Sequence, residues 1–363
     1  MSDLQPQRDD RPVGPSSVPE GDDLLPPVEP PSAGFIIQLF VVPALIVLVI
    51  VSVWLTFTWL VRRTSPEAMV QGLEQGPSVA RWQRASELAD MLRNKRFAEF
   101  KRNAEAASHL ARILDREIDQ AGMSEGMQEE QITLRYFLAR ALGEFEVPDG
   151  VGVLLKAAET NRHPSEQLVR NGALEALAVR AYNLHQMEPP QDLADPELYP
   201  ALARLAADED PMIRSQTGYA LGQIGTPEAM KQLEALSDDP DPDTRYNAAV
   251  GLAHHGNEKA VETLAEMLDL EELLAMKVGT KNEDLAFKRA VIVGNALQAV
   301  ETLAALKPSA DFSAVIESLE QLAEVDRETL DKAQLPSRVV SDARRVLKLL
   351  RADGVGSRAR QSK

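Results

Sequence analysis

Residues 208–256 read DEDPMIRSQTGYALGQIGTPEAMKQLEALSDDPDPDTRYNAAVGLAHHG, and this stretch decides the fold. It carries one pattern twice. Arg214-Ser-Gln-Thr-Gly-Tyr-Ala-Leu221-Gly222 aligns with Arg245-Tyr-Asn-Ala-Ala-Val-Gly-Leu252-Ala253. Each copy follows an Asp-Pro pair, Asp210-Pro211 or Asp241-Pro242, and runs into a glycine, Gly225 or Gly256. Aspartate at a helix N-cap accepts hydrogen bonds from backbone amides that the first turn leaves unpaired. Proline suits the first helical position, where its missing donor is not needed. Glycine takes the left-handed conformation that closes a helix. The pattern predicts short helices separated by tight turns, with Gly225 and Gly256 ending the first helix of each pair.

The start signals recur outward from this core. Asp195-Pro196, Asp210-Pro211, Thr226-Pro227, Asp241-Pro242 and Gly256-Asn257 fall at intervals of 15, 16, 15 and 16 residues, counted between residues 195, 210, 226, 241 and 257. Two helices then make a unit of 31 residues, and a fixed period in this range marks a solenoid. The Arg-to-Leu spacing of seven also appears at Arg170…Leu177, Arg135…Leu142 and, most divergently, Arg81…Leu88. Ala173, Ala176, Thr217, Ala220, Ala248 and Gly251 are small enough for neighbouring helices to approach closely.

On these motifs the chain resembles the HEAT-repeat family, in the short variety called PBS-lyase HEAT-like repeats. The resemblance is specific over residues 198–268 and looser over 79–185 and 283–350. It implies an all-α fold: an α-solenoid of HEAT-like helical hairpins, five or six antiparallel pairs over residues 79–350, with no sheet. It also implies an inter-repeat polar ladder, in which Asp210 and Arg214, and Asp241 and Arg245, link successive units by charge-assisted hydrogen bonds. Departures from the pattern fall at the ends of the array. The first unit lacks an Asp-Pro start, the segment from Phe97 to Gln120 is too long for a standard second helix, and Lys281 to Leu306 reads as one long helix.

Upstream, residues 34–61 read GFIIQLFVVPALIVLVIVSVWLTFTWLV and contain no charge. About 20 such residues suffice to cross a bilayer, so a transmembrane helix is expected here, with Pro43 a point of bending. A cleavable signal would need a basic start and a shorter apolar core, and the preceding residues are acidic. Arg62 and Arg63 follow the span directly, and positive flanks stay on the cytoplasmic side. The expected topology puts the N-terminus outside the plasma (inner) membrane and the C-terminal domain in the cytoplasm. Trp54 and Trp59 are expected interfacial anchors. Residues 1–33, with eight Pro and a net charge of −5, cannot bury enough apolar surface to offset their ordering entropy and read as disordered. Residues 62–78 read as a juxtamembrane linker in which Ser65-Pro66-Glu67 opens a helix, and residues 351–363 as a basic tail of net +3.

The net charge of −17 argues against nucleic acid as a partner, because phosphate binding needs a surplus of Lys and Arg. The chain has no cysteine, so it offers no disulfide, thiolate ligand or cysteine nucleophile. Asp239, Asp241 and Asp243 alternate as in a calcium loop, but Thr244 and Val250 stand where an EF-hand needs Gly and Glu. His254-His255 reads as structural, and Gly150-Val-Gly152 as a turn. No GxxxxGK[ST], GxSxG, HExxH or GxGxxG motif occurs. No catalytic, cofactor-binding or metal-binding residue is therefore assigned. The expected function is a membrane-tethered scaffold, not an enzyme, whose concave helix face binds a protein partner while residues 34–61 engage the lipid bilayer. Trp82, Tyr136, Phe137, Tyr219 and Tyr246 are expected as packing residues, some as exposed anchors on that face. The resemblance carries an alternative, an accessory or lyase-type factor acting on a client protein.

Overall fold

The computed structural model describes residues 32, 34, 37–61, 65–75, 77–121, 129–276 and 282–352. The chain divides into two units, Met1–Thr64 and Ser65–Lys363.

In the first unit a π-type turn, Ile37–Val41, leads into helix α1, Val42–Val61. The widened turn lies just ahead of Pro43, which has no amide to donate and whose ring crowds the carbonyl four residues back. Thr56 Oγ1 donates to Ser52 O at 2.7 Å, so this hydroxyl is satisfied within the helix. The stretch Ile37–Thr56 has a mean hydropathy of 2.8, and none of it is buried. Trp54 is exposed, and Trp59 lies in α1 with its side chain outside the described residues. Arg62 and Arg63, most of the leader and the tail from 353 onward also lie outside them.

In the second unit every regular element among the described residues is a helix. A front layer holds α3 (Ser78–Leu92), α5 (Glu129–Gly143), α7 (Gln167–His185), α9 (Pro211–Ile224), α11 (Pro242–His254), α14 (Asn282–Leu306) and α17 (Arg338–Ala352). A back layer holds α2 (Pro66–Gly72), α4 (Ala104–Ala121), α6 (Val151–Glu159), α8 (Leu198–Ala206), α10 (Pro227–Leu236), α12 (Ala260–Leu268) and α15 (Ser313–Glu324). Short helices α13 (Leu270–Ala275) and α16 (Arg327–Ala333) fill turns near the C-terminal end. Each front helix stacks beside the next, and each back helix packs against the front helix that follows it. In the core repeats the arginine-bearing helices α9 and α11 pack as closely on the back helices that follow them, α10 and α12, as on those before, in keeping with the expected pairing, whereas α5, α7 and α17 pack on the back helix that precedes them. Among the described residues seven back helices alternate with seven front helices, because residues 66–72, assigned above to a linker, supply the first back helix. Ser65 caps α2, and Met69, Val70 and Leu73 are buried.

The caps explain why the helices begin and end where they do. Asp210 Oδ1 accepts from Met212 N at 2.9 Å, Thr226 Oγ1 from Ala229 N at 3.4 Å, and Asp241 Oδ2 from Thr244 N at 2.9 Å. Asp195 and Asn257 instead make side-chain turns onto Glu197 N and Lys259 N, and their helices begin later, at Leu198 and Ala260. Gly225 and Gly256 have φ of 67° and 71°, the left-handed region that favours glycine. The segment from Phe97 to Gln120 is broken at Arg102-Asn103, where Asn103 caps the restart at Ala106 N.

Front helices meet through small residues. A Cβ on Gly222 would lie 2.9 Å from Gly251 Cα, and one on Gly143 2.6 Å from Ala176 Cα, so backbone packs on backbone at both crossings. Leu138, Leu142, Leu174, Leu177, Leu221 and Leu252 lie fully buried along the same layer. Burying a leucine side chain contributes about 2 kcal/mol, which makes this seam the main cohesive element of the array.

Candidate functional site

Each front helix from α3 to α11 carries an arginine near its start that reaches toward the next hairpin. Arg81 pairs with Glu117 at 2.6 Å, Arg135 with Glu166 at 3.0 Å, Arg170 with Asp208, Arg214 with Asp239 at 2.7 Å and Arg245 with Glu266. From Arg170 onward the bonds are continuous. Asp208 accepts from Arg170 on its carboxylate and, at 2.9 Å, from Arg214 Nη1 on its backbone carbonyl. Arg214 holds the Asp239 carboxylate through Nε at 2.7 Å and Nη2 at 2.9 Å. The Asp239 carbonyl then accepts from Arg245 Nη1 at 2.9 Å, and Arg245 passes to Glu266.

Asp210 and Asp241, the acids expected in this ladder, instead serve as N-caps, and the pairing acids lie two residues earlier, at Asp208 and Asp239. The reason is reach: an N-cap aspartate folds back on its own first turn, and the residue at the loop's edge is the one that faces the neighbouring hairpin. The sequence held a signal for this in the doubled acids Asp208-Glu-Asp210 and Asp239-Pro-Asp241. For Glu166, after His163-Pro164-Ser165, it held none.

Charge and burial act together on the ladder carboxyls. The Arg214 guanidinium holds Asp239 below the ordinary carboxylate range, against the opposing effect of burial. Burial raises Asp208 and Glu166, but hydrogen bonds outweigh it: Arg170 for Asp208, and the Arg162 amide with Arg135 for Glu166, so both also lie low. Two buried arginines stand apart, and their hydrogen bonds among the described residues go to backbone carbonyls. Arg180 donates to Asp149 O at 2.8 Å and to Leu142 O, and Arg289 to Ala333 O at 3.0 Å and to Leu274 O and Met276 O. Leu142, Leu274 and Ala333 lie in the last turns of α5, α13 and α16, where helix dipoles supply partial negative charge.

The alternating aspartates have separate duties: Asp239 on Arg214, Asp241 on the α11 cap, Asp243 on Lys288 at 2.6 Å. His255 contacts Gly222 O at 2.9 Å, and burial lowers the pKa of His254. No group of acids and histidines suited to a metal occurs among the described residues.

The open face of the front layer is chemically distinct. On α7, α9 and α14 it shows Leu168, Tyr182, Met212, Tyr219, Phe287 and Val291 as exposed large apolar side chains. Between them lie Asn171, Gln216, Asn247, Asn295 and Gln298, some linking the helices, as Asn247 Nδ2 does to Ser215 O at 3.0 Å. Of the residues expected as aromatic packing, Tyr246 is buried and Tyr219 is exposed. Trp82 stacks on Phe137 with ring centroids 6.1 Å apart, Phe137 meets Tyr136 edge-on at 5.1 Å, and Arg140 lies over both of the latter rings. Where α9, α11 and α14 come together the face deepens into a cleft of about 490 Å³, lined by Met212, Val250, Phe287, Val291 and Ile292 and edged by Asp241 and Asp243. Phe287 is 74% exposed in a chain otherwise poor in aromatics. Sequence reasoning missed this cleft, since its residues come from three helices with no common motif.

A family model described as HEAT repeats matches residues 178–241. No curated protein matches the chain. Among solved structures, an engineered protein is similar at 19% identity, covering 77% of this chain and 97% of its own, with a TM-score of 0.30. Human deoxyhypusine hydroxylase in complex with glycerol is similar at 18% identity, covering 82% and 99%, with a TM-score of 0.27. A second engineered protein is similar at 15% identity, covering 80% and 92%, with a TM-score of 0.27. The fold of this chain is an all-α, HEAT-repeat-like solenoid of stacked helical hairpins.

Proposed function

We propose that this chain is a single-pass membrane protein that holds a HEAT-like solenoid in the cytoplasm as a docking scaffold for another protein and performs no chemistry of its own. In this reading residues 34–61 cross the bilayer, 1–33 form an acidic leader outside, and the solenoid is followed by a basic tail from 351. The observation that carries the docking role is the open face of the front layer. In a chain with 26% charged residues, a face of Tyr, Met, Phe, Asn and Gln whose charges among the described residues include Glu175, Asp241 and the paired Asp243 and Lys288 has the composition of an interface centre. Membrane tethering is supported by α1, since a helix of 20 uncharged, mostly apolar residues extends about 30 Å, the thickness of a hydrocarbon core. Its side chains find no protein cover over Ile37–Thr56.

The test is site-specific photo-crosslinking in intact membranes. Probes at Tyr219 and Asn295 on the open face are expected to give one discrete adduct, and a probe at Lys231 on the back layer none. Equal labelling from both layers refutes the docking role, and recovery of the full chain in the soluble fraction refutes the tether.

A further inference from the structure

The last front helix is the basic one. Across Arg338–Ala352, α17 carries Arg338, Arg344, Arg345, Lys348 and Arg351 against a single acid, Asp342, in a chain of net charge −17. No other front helix exceeds a net charge of +1. Val339, Ala343, Val346, Leu347 and Leu350 are buried where α17 packs on α14 and α15, and all five cations are exposed. Burial of one stripe thus turns the cations outward, on the last helix among the described residues. Arg338 and Lys348 have no ion-pair partner among those residues. Arg344 Nε donates to Ala323 O at 2.9 Å, which leaves its charge in place. Arg345 pairs with Glu301 and Arg351 with Glu320, but both arginines are more than half exposed, where water screens such a pair. Arg344, Lys348 and Arg351 line an open depression of about 460 Å³ together with Leu347 and Ala352.

We infer that this face binds the anionic headgroups of a lipid bilayer, with Arg344, Lys348 and Arg351 on headgroup phosphate and Arg338 and Arg345 adding to the attraction. The inference rests on the tether proposed above, which keeps a bilayer at high effective concentration beside the solenoid. In that reading the solenoid lies on the cytoplasmic side, where anionic lipids attract clusters of about four to eight Lys and Arg. Charge complementarity selects the occupant. Nucleic acid would meet α17 but also the acidic remainder of the chain, whereas a bilayer can engage one helix face alone. An acidic protein would suit the same cations, but it has to be recruited from solution, and a tethered chain always has lipid at hand. Contact at α17 limits how freely the array turns about its tether, and so steadies the open face for a partner.

The test uses the full chain reconstituted in vesicles. The chain has no cysteine, so Ser341→Cys, on the exposed face of α17, carries a unique fluorophore. A lipid with a nitroxide on its headgroup quenches that probe on contact. Quenching is expected in vesicles of phosphatidylcholine containing one-third phosphatidylglycerol, and is expected to be lost in pure phosphatidylcholine and at high salt. Inorganic phosphate added at constant ionic strength should leave it unchanged. Lys348→Gln should lower the ratio of quenched to free probe about fivefold, and Lys348→Gln with Arg338→Gln about 25-fold, with circular dichroism unchanged. Equal quenching in neutral vesicles overturns the proposal, as does indifference to the double variant. A labelled Glu-rich peptide that binds in neutral vesicles and is lost in the double variant, without quenching by anionic lipid, assigns the face to an acidic protein and also overturns it. Release of the chain from neutral vesicles by alkaline carbonate refutes the tether and this inference with it. A chain that is retained but unquenched refutes this inference alone.

Discussion

Removing the carboxylate of Glu166 is expected to destabilise the solenoid more than removing any other acid of the ladder. Glu166 and Arg135 are each 1% exposed, and the carboxylate accepts from Arg135 at 3.0 Å, from the Arg162 amide at 2.6 Å and from Arg162 Nη2 at 3.3 Å. Breaking such a pair strands a guanidinium away from water, at a cost of about 3–5 kcal/mol. The next rung is wetter: Arg214 and Asp239 are 14% and 8% exposed, and Asp239→Ala should cost about 2–3 kcal/mol. Arg245 and Glu266, at 24% and 27%, are partly screened by water, and Arg245→Ala or Glu266→Ala should cost about 1–2 kcal/mol. Lys231→Ala, an exposed change on α10, should stay within about 0.5 kcal/mol. Because each hairpin supports its neighbours, loss at Glu166 should spread along the array rather than remain local. Thermal melting of the full chain in detergent, followed by circular dichroism, should rank the variants Glu166→Ala, Asp239→Ala, Glu266→Ala and Lys231→Ala from lowest to highest midpoint. The double change Arg135→Met with Glu166→Leu should recover much of the loss, since it removes the stranded charge. A midpoint for Glu166→Ala equal to that of Lys231→Ala would refute the reasoning, and so would a double variant no better than the single one.

The ladder also sets a pH dependence. Asp239, Asp208 and Glu166 titrate lower folded than unfolded, so their stabilisation is complete above an unfolded carboxylate value of about 4 and fades as pH falls through the folded values. Urea midpoints should hold level from pH 7 to about 5 and drop below about pH 4, and Asp239→Asn should shallow that drop. Gly222→Val should destabilise by about 1–3 kcal/mol, because a Cβ at that position already lies 2.9 Å from Gly251 Cα on the neighbouring helix, and chemical denaturation measures it directly. A reporter that is active only after export, fused at Lys363, should stay silent if Arg62 and Arg63 hold the C-terminal side in the cytoplasm. Strong export activity would invert the topology.

The sequence alone determined that the second unit is helical, where several helices start and stop, and that the units repeat. These follow from local chemistry: Asp210, Thr226 and Asp241 as caps, Pro at the next position, and Gly225 and Gly256 at positive φ each act within a turn or two of chain. The long helix at Asn282–Leu306 was legible for the same reason. The apolar run of α1 was equally plain, because hydropathy sums over consecutive residues. Only the tertiary structure decided how successive front helices lie side by side, since that contact joins residues a whole unit apart in the chain. It also decided that Asp208 and Asp239, rather than Asp210 and Asp241, meet the arginines, and that residues 66–72 belong to the array. The cleft was the least legible feature. Met212, Val250 and Phe287 sit 75 residues apart at their extremes, on three helices, and an exposed apolar side chain on an amphipathic helix looks in sequence like one more core residue. Burial depends on which neighbour covers it, and that neighbour is chosen by packing across the whole array rather than by adjacent residues.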